Sequence, residues 1–288
     1  MSTAAGAASS SLHNRSATPA RDARPRRLLE GFGFVAVWVA LGYLFPLNDE
    51  TYLLMGIPLT VGFQILVRRR PLRELWVREA SHFSLDKRGL LMAAVLVATP
   101  AYYGARALPG AQWWLIGWYV AGFVGAVGAA FALRATSPVA MLRSAALPIA
   151  VGAGGMAAVI GGIHVATGAP VHVLAVVGTV VKYIAIYFPV TFVLEEVAFR
   201  GALDAHVHHE GEGRGWQSAL FVSALWGLWH LPIAVGMPFP LLIMVLLAVH
   251  CFIGIPLSFA WRRSRNLAGV AFAHSAIDAI RNAMLLGL

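Results

Sequence analysis

Charge is scarce in this chain of 288 residues: Asp, Glu, Lys and Arg together make up 12% of it, 59% is hydrophobic, and the mean hydropathy is +0.71. A soluble domain averages about a quarter charged residues, so an ordinary soluble protein is excluded and a polytopic membrane protein is expected. Cysteine is limited to Cys251, inside an apolar segment, which excludes an internal disulfide and fits a buried, inert thiol. Lysine is nearly missing, two against twenty arginines; with abundant Ala and Gly this points to a GC-rich genome and a bacterial source. No tandem repeat is present, and no gap between apolar segments is long enough for a soluble domain.

What charge there is has a pattern. The net charge is +9, and nineteen of the 22 Lys and Arg fall in five clusters: Arg15 to Arg27, Arg68 to Arg88, Arg134 with Arg143, Arg200 with Arg214, and Arg262 to Arg265. They occupy every second gap between hydrophobic segments, as the positive-inside rule requires, so the charge reports topology and a nucleic-acid partner is not expected. Residues 1–27, rich in Ser, Ala and Arg, read as a disordered cytoplasmic tail. Residues 28–170 read as five spans, about Leu28 to Leu47, Thr51 to Val67, Gly89 to Ala107, Trp113 to Leu133 and the glycine-rich Ala145 to Thr167. Residues 171–288 carry four more, Val173 to about Leu203, Trp216 to Val235, Pro240 to Trp261 and Leu267 to Leu288. The expectation is an all-α transmembrane bundle of eight or nine spans in a bacterial inner membrane, amino terminus cytoplasmic. The basic segment from Arg68 to Arg88 is expected to lie along the inner surface as an amphipathic helix.

Three of the last four spans carry polar side chains that lipid cannot solvate. The sixth contains T-F-V-L-E-E-V-A-F-R-G, with Glu195, Glu196 and Arg200. Each charge at a bilayer centre costs about 2.5–3.5 kcal/mol on insertion scales, so three in one helix call for a function. On an α-helix Glu196 and Arg200 share a face and hold each other's charge, while Glu195 points about 100° away and is left free. The seventh span places Trp226 and His230 four apart (W-G-L-W-H), and the ninth does the same with His274 and Asp278 (H-S-A-I-D). Three such faces in one bundle must meet each other or a wet cavity. At about 1.5 Å per residue, Glu195 lies roughly 8 Å in from Arg200 and His274 roughly 13 Å in from Arg265, whereas His230 is about 21 Å from Trp216. The seventh helix is therefore expected to begin in the cytosol or to tilt.

E-E-x-x-x-R, aromatic-x-x-x-H and H-x-x-x-[N/D], in that order on separate helices, resemble the CPBP family of intramembrane proteases, which includes the CAAX-end (Rce1-like) prenyl-protein proteases and the bacteriocin-immunity proteins. The resemblance covers about Lys182 to Met284. It implies Glu195 as general base on water, His230 as its partner, and His274 with Asp278 at the developing oxyanion, and it implies a membrane-anchored protein or peptide as substrate. Trp226 stands where Phe is usual, and Asp278 where the prenyl-protein enzymes have Asn. An ionised Asp278 would repel an oxyanion, whereas a protonated one could donate to it. No cofactor is expected. The alternative is a divalent metal such as zinc on Glu195, His230, His274 and Asp278.

Other proteolytic signatures are missing: His209-Glu210 does not extend to H-E-x-x-H, no G-x-S-G surrounds a serine, and no G-D pair follows an apolar run. His206, His208, His209, Glu210 and Glu212 read as a solvated loop rather than a metal site. Lys182, His164, His172 and His250 read as interhelical hydrogen bonds or snorkelling groups. Two alternatives of other classes stand beside the protease: a transporter or channel with a buried proton or ion path, and a non-catalytic immunity or scaffold protein.

Overall fold

The computed structural model describes residues 23–286 except 108, 111, 169 and 171, so the tail expected over 1–27 lies outside the described residues as far as residue 22. From Ala23 onward the chain is helical. Among the described residues there are nine rods: α1 (Ala23–Leu44), α2 (Asp49–Val67), α3 (Lys87–Ala107), α4 (Trp113–Arg134), α5 (Pro138–Thr167), α6 (Val173–Val207), α7 (Trp216–Trp229), α8 (Phe239–Ser264) and α9 (Leu267–Leu285). Among the described residues there is no strand, only an isolated bridge between Val77 and Asn266. The fold is the all-α bundle that the hydropathy implies. Six rods, α1, α2, α4, α5, α6 and α8, are long and apolar enough to cross a membrane, and the chain is an integral membrane protein. Large apolar side chains such as Val95, Val165 and Leu174 point outward, as a lipid-facing surface requires.

The expected seventh span is shorter than its hydropathy suggests. Leu231 precedes Pro232, and the residue before proline is pushed out of the helical region. The helix accordingly stops at Trp229, and its 14 residues reach about 21 Å against a hydrocarbon thickness of about 30 Å.

Three rods widen into π-helix: Phe63–Val67 in α2, Ile149–Ala153 in α5 and Phe192–Asp204 in α6. Each begins within five residues after an intrahelical proline, Pro58, Pro148 or Pro189. Proline removes an i→i−4 bond and crowds the carbonyl one turn earlier, so the regular ladder is already broken where the wider turns start. The longest π segment is the stretch that carries both adjacent carboxylates.

Two glycines permit approaches that any side chain would block. A Cβ on Gly56 would fall 2.0 Å from the Trp38 ring, and one on Gly125 would fall 1.7 Å from the Pro189 carbonyl oxygen, where α4 crosses α6. The glycine-rich fifth span is used unevenly. Gly152 and Gly155 lie against Ile277 and Phe252, whereas Gly154 and Gly162 face open space.

The basic segment after α2 is not the expected amphipathic helix. Arg69 and Glu79 both have positive φ, and the only helix between them is a single 3₁₀ turn, Leu72–Leu75. The chain then turns against the α8–α9 linker and touches it through the isolated Val77–Asn266 bridge, with Arg78 donating its N–H to the Arg265 carbonyl at 2.9 Å and Leu267 to that of Trp76 at 3.0 Å.

Candidate active site

Twelve of the thirteen residues from Phe192 to Asp204 are buried; Glu195 is the exception. The two neighbouring carboxylates have different surroundings. Glu196 is fully buried, with Oε2 3.7 Å from Arg200 Nε and Oε1 2.8 Å from His274 Nδ1. At 3.7 Å the arginine contact is Coulombic rather than a hydrogen bond. Arg200 is also fully buried. Its guanidinium lies 4.4 Å from the centre of the Trp226 ring, and Nη2 donates to the Gly254 carbonyl at 3.5 Å. Arg200 is therefore no loop cation, as its place in the fourth basic cluster suggested; Glu196 neutralises it inside the bundle. Glu195 accepts 3.0 Å from Trp226 Nε1–H.

Trp226 is the hub of the remaining groups. Its indole meets His274 edge-on at 5.0 Å and His250 at 4.8 Å, and lies 6.1 Å from His230. His230 is at the C-cap of α7, and its Nδ1 lies 2.9 Å from the Trp226 carbonyl, so that nitrogen carries the proton and Nε2 keeps its lone pair. The hydrogen bond to Glu195 comes from Trp226, one turn before His230 in α7. His250 repeats the pattern one helix away, with Nδ1 2.7 Å from the Leu246 carbonyl and its ring 4.2 Å from that of His230. His250 is the residue that sequence reasoning set aside as a lone polar group, since nothing four residues from it marks a motif. Its only signal was an imidazole within an otherwise apolar span.

His274 sits between two acids. Nδ1 faces Glu196 at 2.8 Å and Nε2 faces Asp278 at a looser 3.4 Å, while Asp278 is itself 3.1 Å from Arg281. Arg200, Glu196, His274, Asp278 and Arg281 thus form a line of contacts in which basic and acidic residues alternate, from the buried interior toward the surface. Among the described residues no group of three or more His, Cys, Asp or Glu side chains converges as a metal site. Within the set of Glu195, His230, His274 and Asp278, His274 commits Nδ1 to Glu196 at 2.8 Å, and no three of the four groups converge on one point. As arranged, these side chains do not fit a bound divalent ion.

The amino-terminal helices hold this site in place. Trp38 of α1 is fully buried, stacks on Phe199 of α6 at 6.3 Å and meets Trp229 edge-on at 5.0 Å. Tyr52 of α2 donates its hydroxyl to the Trp229 carbonyl at 2.7 Å, satisfying an oxygen that the end of α7 leaves without a helical partner. Replacing Tyr52 with Phe keeps the ring and removes this donor. The expected loss is about 1 kcal/mol, measured as a lower midpoint of thermal unfolding in detergent, and an unchanged midpoint would show that water caps the carbonyl as well.

The His/Glu loop is more ordered than a solvated loop. His206 bonds Glu30 of α1 at 2.9 Å, and Glu212 accepts the Ser218 N–H at 2.6 Å in the first turn of α7. Hydrogen bonds to Ser218 hold the Glu212 carboxyl below its usual range against the opposing pull of burial. Of the lone polar residues, His164 reaches across to the Met284 carbonyl at 3.2 Å, as an interhelical group should, while Lys182 rests over the rings of Tyr103 and Tyr183.

Residues 177–280 match the family model described as Type II CAAX prenyl endopeptidase Rce1-like, the kind of protein that the three motifs resemble. The matched stretch contains Glu195, Glu196, Arg200, His230, His250, His274 and Asp278. Comparison with curated proteins and with solved structures gave no match. The match supports an intramembrane endopeptidase as the general class of activity.

Proposed function

We propose that the chain hydrolyses a membrane-anchored protein or peptide, with Glu195 as the general base that activates water. The observation that carries this reading is the division of labour between adjacent acids. Glu196 is sealed against Arg200 and His274, while Glu195 keeps access and a single indole donor. Glu195 takes a proton from water as the water oxygen bonds to the scissile carbonyl carbon. His230, with its Nδ1–H committed to the Trp226 carbonyl, offers Nε2 to accept the second hydrogen of that water. His274, anchored by Glu196, turns its less tightly held Nε2–H from Asp278 to the tetrahedral oxygen. The C–N bond then breaks, and the proton on Glu195 passes to the leaving amine. Asp278 in this scheme orients His274, and Arg281 offsets its charge.

The lipid-embedded site limits substrates to chains that are themselves held in the membrane. A prenylated carboxyl terminus, which the name of the matched family model specifies, is one form; an exported peptide or a sorting tail is another. The test is cleavage by the purified full chain in detergent of labelled membrane-anchored peptides, prenylated and unprenylated, with and without chelator. Cleavage at equal rates in both chelator arms is expected. No cleavage of any peptide, with proton or ion flux in reconstituted vesicles, would give the site to a transporter instead; loss of cleavage with chelator would return it to metal chemistry.

A further inference from the structure

The arginine-rich end of the bundle contains a second polar feature, separate from the site above. The start of α1, the end of α2 with the segment that follows it, and the end of α6 enclose a pocket of about 440 Å³. Five arginines line it, Arg26, Arg27, Arg68, Arg70 and Arg78, against three glutamates. The glutamates are already matched. Glu30 takes Arg26 at 2.8 Å and His206 at 2.9 Å, Glu79 takes Arg265 from outside the pocket at 2.8 Å, and Glu74 lies 4.0 Å from Arg70. Arg27 and Arg68 have no carboxylate within ion-pair distance among the described residues. Arg68 is largely buried and is held only by neutral acceptors, the Gln64 side-chain oxygen and, at 2.8 Å, the Gly201 carbonyl. Burial pulls its pKa down to about 10, so it is charged at neutral pH while partly stripped of water.

We propose that this pocket binds a phosphate-type oxyanion, supplied by an acidic phospholipid headgroup or by free phosphate. Guanidinium forks match the oxygens of phosphate, and a concave surplus of them beside the ends of membrane helices is where headgroup phosphates lie. The carboxylates do not compete, because each has its own cation. Gly201, which Arg68 holds, follows Arg200 directly in α6, so an occupant tightens the same helix that carries Glu195. The binding itself does not depend on the catalytic reading.

The experiment follows thermal unfolding of the full chain in detergent as short-chain phosphatidylglycerol, phosphatidylcholine of equal chain length, or inorganic phosphate is added. A saturable rise in midpoint with phosphatidylglycerol and none with phosphatidylcholine is expected. If inorganic phosphate reproduces the rise, the ligand is the free ion; if it does not, the ligand is the headgroup. Arg27 and Arg70 are exposed, and Arg70 meets Glu74 only at 4.0 Å, a surface contact of small worth, so Arg27→Gln/Arg70→Gln should leave the unliganded midpoint close to the parent value. The same change should raise the half-saturating concentration roughly twenty-fivefold, at about fivefold per basic residue removed. Lys87→Gln/Arg88→Gln removes equal charge outside the pocket and should leave that concentration near the parent value. An equal response to both lipids, or equal weakening by the two double variants, overturns the proposal in favour of general surface attraction.

Discussion

Glu195→Gln is expected to reduce peptide cleavage by about 10²- to 10⁴-fold, the usual contribution of a positioned general base, which is about 3–5 kcal/mol of barrier. The amide keeps the shape of the side chain and still accepts from Trp226 Nε1–H, whose bond to Glu195 Oε2 is 3.0 Å. Stability should therefore stay close to that of the parent. Glu196→Gln is the informative contrast. It leaves Arg200, at 0% exposure, without an opposing charge and removes the anionic acceptor 2.8 Å from His274 Nδ1. That variant should lose both activity and thermal stability. Cleavage rates and unfolding midpoints measured on the two variants side by side separate the roles. Parent-rate cleavage by Glu195→Gln would remove Glu195 from the mechanism.

The largest expected effect on stability lies elsewhere, at Arg262. This residue of α8 donates Nε and Nη2 to the two oxygens of Asp204 at 2.9 and 2.8 Å, and reaches the Gly215 carbonyl and Ser218 Oγ at 2.6 and 2.9 Å. It thereby ties the end of α6 to the start of α7. The Asp204 side chain is 0% exposed, so Arg262→Met leaves a carboxylate buried without a partner, and removing one member of a buried pair costs about 3–5 kcal/mol. Arg262→Met with Asp204→Asn removes the stranded charge and should recover much of that loss. Unfolding midpoints of the two single variants and the double provide the check. Additive losses would show that the two residues act independently, contrary to their bidentate contact.

The helical class and the bundle were legible in the sequence because lipid admits few solutions for a long apolar run. The motif residues were legible because a charge in such a run demands a reason. Glu196 with Arg200 followed from spacing alone, and the contact of His274 with Asp278 did as well. The spacing rule could not show that His274 turns its other nitrogen to Glu196, because that pairing joins residues 78 positions apart. His250 lacked a partner at helical spacing; its significance arises only when α8 brings it against His230. The end of α7 was hidden for another reason. Hydropathy runs on past Trp229, and the stop comes from the backbone preference of Leu231 before Pro232. The single bridge and turns after the 3₁₀ turn were equally out of reach, since the mixture of arginines and leucines there also suits an amphipathic helix.

The amino-terminal helices show no signature of their own, yet the indole of Trp38 fills the space between Phe199 and Trp229, the residues adjoining Arg200 and His230. A chain begun at residue 171 would contain every motif side chain but would leave those two aromatic rings facing hydrocarbon tails and one helix end uncapped. What resembles a portable catalytic third is, in mechanical terms, the unsupported half of an arch.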